Sequence, residues 1–207
     1  RYSYLVGKNE PNHTAQSQLS PLLTEEFKNP TINQIKEAFS VEKVSKNFYQ
    51  DYVKIFNKFE LFLNKKTKLS KKEIRIFTQT LFNRLMFVRF LEKKRWLKFN
   101  NKEKYLNSLF KAGNYKNFSF YNGRLKPLFF LGLGKQGHEQ SDEYGKVCFL
   151  NGGLFEENNL DNLVEDLPND LFFEVLSEDG IFYKYNFTVE ESTPLDIQVS
   201  VDPEMLG

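Results

Sequence analysis

Cationic side chains on one predicted helix are the residues whose spacing best suits a chemical role. Four of them fall on nearly one azimuth at 3.6 residues per turn: Lys71, Arg75, Arg89 and Lys93. Three more lie near the ends of the same helix: Lys72, Lys94 and Arg95. Such a stripe can follow a phosphate backbone, and an ordinary solvated face is the competing interpretation.

Arg84 differs from these cations because it falls on the apolar arc of the helix, among Leu81, Val88 and Leu91. An unpaired guanidinium is very costly to bury, so its position predicts a carboxylate, carbonyl or phosphate partner. We expect a structural ion pair inside a helical bundle.

Residues typical of metal or nucleophilic sites are sparse. His13 and His138 have no partner at metal-ligand spacing, and their polar surroundings predict exposed side chains. The single cysteine, Cys148, lies in an apolar run that favours a buried, inert thiol. The glycines of residues 131–137 indicate a flexible loop rather than a phosphate cradle. The sequence therefore predicts no catalytic, cofactor-binding or metal-binding residue.

Two consecutive glycines in the string LNGGLF are the remaining local signal. Gly152 and Gly153 stand between apolar residues. Their position predicts a turn with positive φ or a close approach by another segment. A structural turn is the simpler interpretation, and a ligand-binding loop is the alternative.

The composition is that of a globular protein. The 207 residues are 40% hydrophobic and include 22 Phe and 10 Tyr, enough for one sizeable core or two small ones. The net charge of +2, from 29 basic and 27 acidic residues, hides a basic middle (43–126) and an acidic later part (139–202). The basic part indicates contact with a polyanion or the Lys/Asn usage of an AT-rich genome. One cysteine, no membrane-spanning run and no signal peptide predict a cytoplasmic protein.

Hydrophobic periodicity predicts a mainly α fold: an irregular multi-helix bundle around a central helix at about 70–97, with short extended segments at both ends. Ser70 and Glu73 form a capping-box pattern at the start of that helix. The other predicted helices lie at about 31–39, 45–65, 102–111, 121–131 and 168–176. A strand and connector are expected before residue 30, and an extended arm at about 187–201.

Three regions follow from this pattern: an N-terminal strand and connector (1–30), a helical domain (31–186), and an arm that leads into a further helix (187–207). Asp202 and Pro203 suit the start of that last helix. We therefore expect the chain to be an internal piece of a larger protein.

Several strings, in order, resemble one protein family. They are AFSVEKVSKNFYQDYVKIFNKFE (38–60), FNRLMFVRFLEKKRWL (82–97), LKPLFF (125–130), FLNGGLFE (149–156) and YNFTVEESTPLDIQVSVDPEMLG (185–207). Together they resemble the helical region upstream of the catalytic domain in large adenine-specific DNA methyltransferases. Such enzymes occur in type IIG restriction–modification systems and in BREX-type phage-exclusion systems.

The resemblance implies a bacterial or archaeal parent protein that transfers a methyl group from S-adenosylmethionine to adenine in double-stranded DNA, after flipping the base out. The cofactor and catalytic motifs of that family lie downstream of the matched strings and are absent from this chain. Thr193-Pro194 precedes PEMLG and is not the family's cofactor motif. The expected partners are double-stranded DNA and the methyltransferase domain of the same chain, with no membrane and no cofactor in this piece.

Two other functions remain open on the residues alone. The first is a helical protein-interaction module without a nucleic-acid role, indicated if the predicted stripe is packed inside or paired with acids. The second is a nuclease domain, which requires a strand-borne acidic cluster beside a lysine and fits poorly with a helical fold.

Overall fold

The structure is a computed structural model that describes residues 2–7, 10–23, 29–187 and 197–201. Its helices are α1 (His13–Leu19), α2 (Ile32–Ala38), α3 (Val41–Lys66), α4 (Lys71–Lys93), α5 (Tyr105–Lys111), α6 (Asn159–Leu163), α7 (Asn169–Leu176) and α8 (Ile181–Lys184). Its strands are β1 (Tyr2–Ser3), β2 (Gln140–Ser141), β3 (Gly145–Lys146) and β4 (Ile197–Gln198). The prediction of a mainly α protein is confirmed.

The chain forms two compact units. Unit 1 comprises Arg1–Val53 and Glu178–Gly207, and unit 2 comprises Lys54–Ser177. This division follows packing alone, and the three regions inferred from the sequence stay a prediction. The proposed start of a helix at Asp202, Thr193-Pro194 and much of the final string lie outside the described residues.

Unit 1 joins the two ends of the sequence. Strands β1 and β4 pair in parallel, with Tyr2 opposite Ile197 and Ser3 opposite Gln198. In the same unit, the ring of Phe48 is fully buried and meets two rings edge-on, with its centroid 5.5 Å from that of Tyr185 and 5.4 Å from that of Phe187. Edge-to-face contacts of this kind add to the burial of apolar area and fix the geometry of a core.

Unit 2 packs around α4. The helix buries residues on more than one side, including Phe77, Phe82 and Leu85. The rings of Phe59, Phe82 and Phe172 meet edge-on at 5.1 to 5.4 Å in the core beside it. A helix covered on several sides is the arrangement that its apolar residues off the main arc predict.

Helix α4 begins where the capping box places it and ends earlier than predicted. Arg95 adopts a left-handed conformation (φ 61°). Its backbone N–H donates to the Glu92 backbone carbonyl, and the backbone N–H of Trp96 donates to the Leu91 carbonyl. These two bonds form a Schellman motif, which satisfies the last carbonyls and stops the helix. The predicted extension to Leu97 is therefore wrong, because periodicity continues past a stop that backbone geometry imposes.

The region predicted as a helix at 121–131 is helical, but most of its backbone hydrogen bonds follow the π-helical i→i+5 pattern. Tyr121–Leu125 and Leu128–Leu133 are π-helical, on either side of a short α turn that contains Pro127. Proline has no N–H to donate, so the regular i→i−4 ladder cannot run through it. The connector expected before residue 30 contains α1, which has too little apolar periodicity to be recognised.

Candidate nucleic-acid interface

The turn between α3 and α4 carries a group of exposed cations in unit 2. We call it the α3–α4 basic cluster; it consists of Lys65, Lys66, Lys68, Lys71, Lys72 and Arg75, all of which are exposed. The turn is well ordered by its own bonds, since the Thr67 N–H and hydroxyl both donate to the Leu63 carbonyl at 2.9 and 2.8 Å. These cations are therefore presented by two helix ends rather than by a loose loop.

The Ser70 cap fixes the start of α4 within this cluster. The Glu73 N–H donates to the Ser70 hydroxyl at 3.3 Å, and the Ser70 hydroxyl and N–H donate to the Glu73 carboxylate at 2.6 and 2.8 Å. These bonds lower the pKa of the Glu73 carboxyl below its ordinary value. The carboxylate also lies at the positive end of the helix.

Replacing Ser70 with alanine should lower the free energy of unfolding of unit 2 by about 1 kcal/mol at pH 7. Because the folded pKa of Glu73 is depressed, its share of this stability is present above the unfolded pKa and is lost as pH falls through the folded value. Urea unfolding of both proteins at pH 7 and pH 3 measures this. If the stability difference between the two proteins is as large at pH 3 as at pH 7, the Glu73 carboxylate contributes nothing to the effect of the Ser70 cap.

Acidic side chains flank part of the basic cluster. A cavity of about 660 Å³ is lined by Lys66 and Lys68 together with Glu73, Glu165 and Asp166. The carboxylates reduce the positive potential beside those two lysines. The cations best placed to meet a polyanion are therefore Lys71, Lys72 and Arg75, at the start of α4.

Arg89 is not a surface cation. Its side chain is 5% exposed and is paired with Glu92, whose other oxygen accepts the Leu106 N–H at 2.8 Å. The pair ties α4 to the start of α5. The stripe drawn from helical azimuth is therefore interrupted, because another helix covers the second half of α4 on that side.

The cations at the C-terminal end of α4 form a separate group. Lys93 is half-buried, whereas Lys94 and Arg95 are exposed. The Lys94 ammonium lies 5.6 Å from the centroid of the Phe90 ring, within the range of a cation–π contact. At 1.5 Å per residue, Lys71 and Lys93 are roughly 33 Å apart along the helix. The two groups cannot meet one phosphate together.

Arg84 lies in the middle of α4, is 2% exposed, and donates a hydrogen bond from each of its three guanidinium nitrogens. Its Nη1 and Nη2 donate to the two carboxylate oxygens of Asp161 at 2.7 and 3.0 Å. Its Nε donates to the Leu154 carbonyl at 2.7 Å, and Nη2 also donates to the Glu156 carbonyl at 3.0 Å. The guanidinium lies 4.9 Å from the Phe130 ring centroid. This residue therefore holds the LNGGLFE segment against α4, and four of its five N–H donors are used inside the fold.

Asp161 is the partner that the sequence did not identify. It is fully buried and also accepts the Asn158 N–H at 3.0 Å, so one carboxylate caps α6 and neutralises Arg84. The Asn158-x-x-Asp161 spacing was a signal for the cap. Nothing in the local sequence connects Asp161 with a residue 77 positions earlier.

The LNGGLF glycines lie at a turn, as predicted, because Gly153–Phe155 forms one turn of 3-10 helix, but neither glycine has the predicted positive φ. Gly152 is extended (φ −161°), and a Cβ on Gly152 or Gly153 would meet nothing within 4 Å. The prediction of positive φ or close approach is therefore wrong at this position. Close approach is needed instead at Gly134 and Gly145, where a Cβ would overlap the carbonyl oxygens of Phe155 and Lys98.

Other candidate groups do not form a reaction centre in the part of the chain that the structure describes. That part contains no group of three His, Cys, Asp or Glu side chains able to hold a metal, and no helix with the length and apolar character to cross a membrane. Cys148 is half-buried, and burial raises the pKa of its thiol, which disfavours the thiolate. His138 is exposed as predicted, whereas His13 is half-buried against the Tyr185 ring.

The chain is similar to a restriction–modification protein. It is 29% identical over 153 residues to a protein of Methanocaldococcus jannaschii that bears the name "Putative type II restriction enzyme and methyltransferase". The match covers 68% of this chain and 12% of the relative. No family model and no solved structure matches the chain.

Proposed function

We infer that the chain is a helical scaffold region of a restriction–modification DNA methyltransferase that acts on adenine, and that it contacts the DNA backbone through the start of α4. The observation that carries the proposal is the similarity to the M. jannaschii protein. Since the chain spans 12% of that relative, methyl transfer from S-adenosylmethionine is proposed for the whole protein and not for this region.

The chemistry of the described residues supports a scaffold role. The buried charges have partners within the fold: Arg84 bonds to Asp161, and Arg89 bonds to Glu92. Each of these charges is therefore compensated inside the fold and does not require a charged substrate as its partner. By contrast, the cations at the start of α4 are exposed, which suits contacts that position a protein on DNA without reading its sequence.

Removing three of those cations tests the DNA contact. The variant Lys71→Gln/Lys72→Gln/Arg75→Gln should bind duplex DNA more weakly, because each lost phosphate contact releases one fewer counterion. The slope of log K against log salt should become shallower by about 0.9 for each contact, or about 2.7 for three. Fluorescence anisotropy with an arbitrary duplex measures both quantities at 20 to 200 mM salt, where the Debye screening length falls from about 20 to 7 Å.

A matched variant controls for net charge. Lys116→Gln/Lys135→Gln/Lys146→Gln also removes three exposed lysines of unit 2 but leaves the α3–α4 basic cluster intact. It should keep the salt slope of the original chain. Equal slopes for all three proteins, or no duplex binding at low salt, would exclude the DNA contact and leave the scaffold role.

Methyl transfer is tested in the full-length protein that contains this region. Incorporation of a labelled methyl group from S-adenosylmethionine into adenine of duplex DNA is the expected result. Incorporation into cytosine, or into no base, would contradict the proposed activity of the parent.

A protein-interaction module without a nucleic-acid role is the second candidate. The observation that favours it is the burial of Arg89. This residue is one of the four cations of the predicted stripe on α4, and its ion pair with Glu92 lies inside the fold. The acidic side chains beside Lys66 and Lys68 also favour this candidate, because they reduce the positive potential that DNA would meet there. The salt-slope experiment separates the two candidates.

A further inference from the structure

The single tryptophan of the chain lies on the surface of unit 2, just after the end of α4. Trp96 is 57% exposed, although tryptophan is highly buried on average in folded proteins. One exposed apolar side chain carries no conclusion by itself, because such residues are common on protein surfaces. The residues that surround Trp96 are what give it a role.

Trp96 begins a short extended segment in which exposed and buried residues alternate. Trp96 and Lys98 are exposed, whereas Leu97 and Phe99 are each only 5% exposed. Successive side chains of an extended chain point to opposite sides, so Leu97 and Phe99 face the core. Trp96 and Lys98 therefore share the outer side, about 6.6 Å apart along the chain.

Two further segments widen this outer surface. Lys98 and Lys146 form an antiparallel bridge in which the N–H of each donates to the carbonyl of the other at 2.8 Å. Lys146, on β3, lies opposite Gln140 of β2. Residues directly opposite in antiparallel strands place their side chains on the same face, and these three are all exposed. We call the surface formed by Trp96, Lys98, Gln140 and Lys146 the Trp96 face.

The two lysines make this face positive. Neither ammonium group takes part in an ion pair within the part of the chain that the structure describes. Like charges directly opposite each other on paired strands are destabilising, so the two lysines oppose the pairing of their own backbones. A bound anion offsets that repulsion. Arg95, exposed and next to Trp96, adds a third cation.

The acidic residues of the β2–β3 hairpin lie outside the paired part of this face. Glu139 is paired through its carbonyl with the N–H of Val147, which is 4% exposed, so both side chains belong to the other side of the strands. The Glu139 carboxylate accepts the Gly137 N–H at 3.1 Å. Asp142 follows in the turn, beyond the strand residues. Within the paired strands, the indole is therefore bordered by cations.

A flat aromatic ring beside cations on an extended surface matches an unpaired nucleic-acid strand. Proteins that bind single strands combine aromatic side chains, on which bases stack, with cations that follow the backbone phosphates. A duplex offers phosphates but keeps its bases stacked inside, so it presents no base to Trp96. An acidic peptide satisfies the lysines but leaves the indole without a flat partner.

We propose that the Trp96 face binds single-stranded nucleic acid, with a base stacked on Trp96 and phosphates at Lys98 and Lys146. The strand is DNA or RNA, since both present the same bases and phosphates. The site lies at the opposite end of α4 from the phosphate contacts proposed for Lys71, Lys72 and Arg75. It does not depend on them, because it takes an unpaired strand and those contacts take a duplex.

The fluorescence of Trp96 tests the proposal directly. The chain has one tryptophan, so its emission reports on this face alone. The intact chain is titrated with oligothymidine and with oligouridine of about 12 nucleotides, at about 20 mM salt. At least one strand should quench the emission saturably, and the one that binds more tightly identifies DNA or RNA as the preferred source. A DNA duplex of the same length should leave the emission nearly unchanged.

Substitution of the indole measures the stacking. Trp96→Leu should weaken the binding of the labelled strand about 5- to 140-fold in fluorescence anisotropy, the effect of losing one stacked base. Trp96→Phe keeps an aromatic face and should recover most of that loss. Phe173→Leu is the matched control, because Phe173 is 60% exposed on α7, away from the Trp96 face in the sequence. It should leave the affinity unchanged.

Substitution of the lysines measures the phosphate contacts. Lys98→Gln/Lys146→Gln should make the slope of log K against log salt shallower by about 1.4, or about 0.7 for each contact to a single strand. Its melting temperature should equal or exceed that of the original chain, because the repulsion between the paired strands is gone. Lys36→Gln/Lys46→Gln removes two exposed lysines of unit 1 and should keep the original slope.

Four results would overturn the proposal. The first is that neither strand quenches Trp96 at low salt, and the second is that a duplex quenches it as strongly as a strand. The third is that Phe173→Leu weakens strand binding as much as Trp96→Leu does. The fourth is a dimer of the chain, detected by sedimentation, that Trp96→Leu dissociates, since the face would then be a contact between two copies.

Discussion

Replacing Asp161 with asparagine should lower the free energy of unfolding by about 3–5 kcal/mol, because it leaves the Arg84 guanidinium charged and uncompensated inside unit 2. Both side chains are almost completely buried, at 2% and 0% exposure. The substitution keeps the size of the side chain, so the loss is not a cavity effect. Chemical denaturation followed by circular dichroism measures it.

Two further variants separate the ion pair from other causes. Glu165→Gln removes an exposed carboxylate four residues away and should change stability by no more than about 0.5 kcal/mol. Arg84→Met/Asp161→Asn should recover part of the loss, since the charge that needs compensation is gone. A single-variant cost below about 1 kcal/mol would mean that the Leu154 and Glu156 carbonyls and the Phe130 ring suffice for Arg84.

The ion pair also bears on the proposed scaffold role. Arg84 bonds to the backbone at Leu154 and Glu156, so its position determines where the LNGGLFE segment lies. When Asp161 is changed, amide hydrogen exchange should increase first in residues 150–163. This local opening would precede global unfolding, because that segment has few other buried groups holding it to α4.

Replacing Gly145 with alanine should cost about 2–5 kcal/mol, the second-largest effect that we expect. Gly145 has φ +77°, a left-handed conformation that costs an L residue about 1–2 kcal/mol. A Cβ there would also overlap the Lys98 carbonyl oxygen and approach Phe99 Cδ2 to 3.1 Å, and overpacking adds about 1–3 kcal/mol. Lys98 cannot simply move away, because it exchanges two 2.8 Å backbone bonds with Lys146.

Gly137 provides the matched control for this substitution. It too has a positive φ, of +85°, but a Cβ added there would meet nothing within 4 Å. Gly137→Ala should therefore carry only the backbone cost, and the difference between the two variants measures the steric overlap at Gly145. Equal melting temperatures for the two variants would show that the paired backbone at Lys98 and Lys146 moves to accommodate the Cβ at little cost in stability.

Local structure was predictable where neighbouring residues decide it. The start of α4 follows from Ser70 and Glu73, three residues apart, and the capping box at Thr31 and Gln34 likewise starts α2 within the predicted helix. The end of α4 was not predictable, because a non-glycine residue, Arg95, occupies the left-handed position there. The glycine pair at 152–153 shows the opposite error, since glycine permits positive φ without requiring it.

Residue patterns were enough to establish that the chain is mainly helical, where α4 begins, that Arg84 lies on an apolar arc, and which cations lie at the helix ends. These properties depend on residue types within one or two helical turns, where periodicity and capping act. The tertiary structure was needed to show that Asp161 neutralises Arg84 and that α5 covers Arg89. Such pairings join segments far apart in the chain, and helical spacing carries no information about which segments meet.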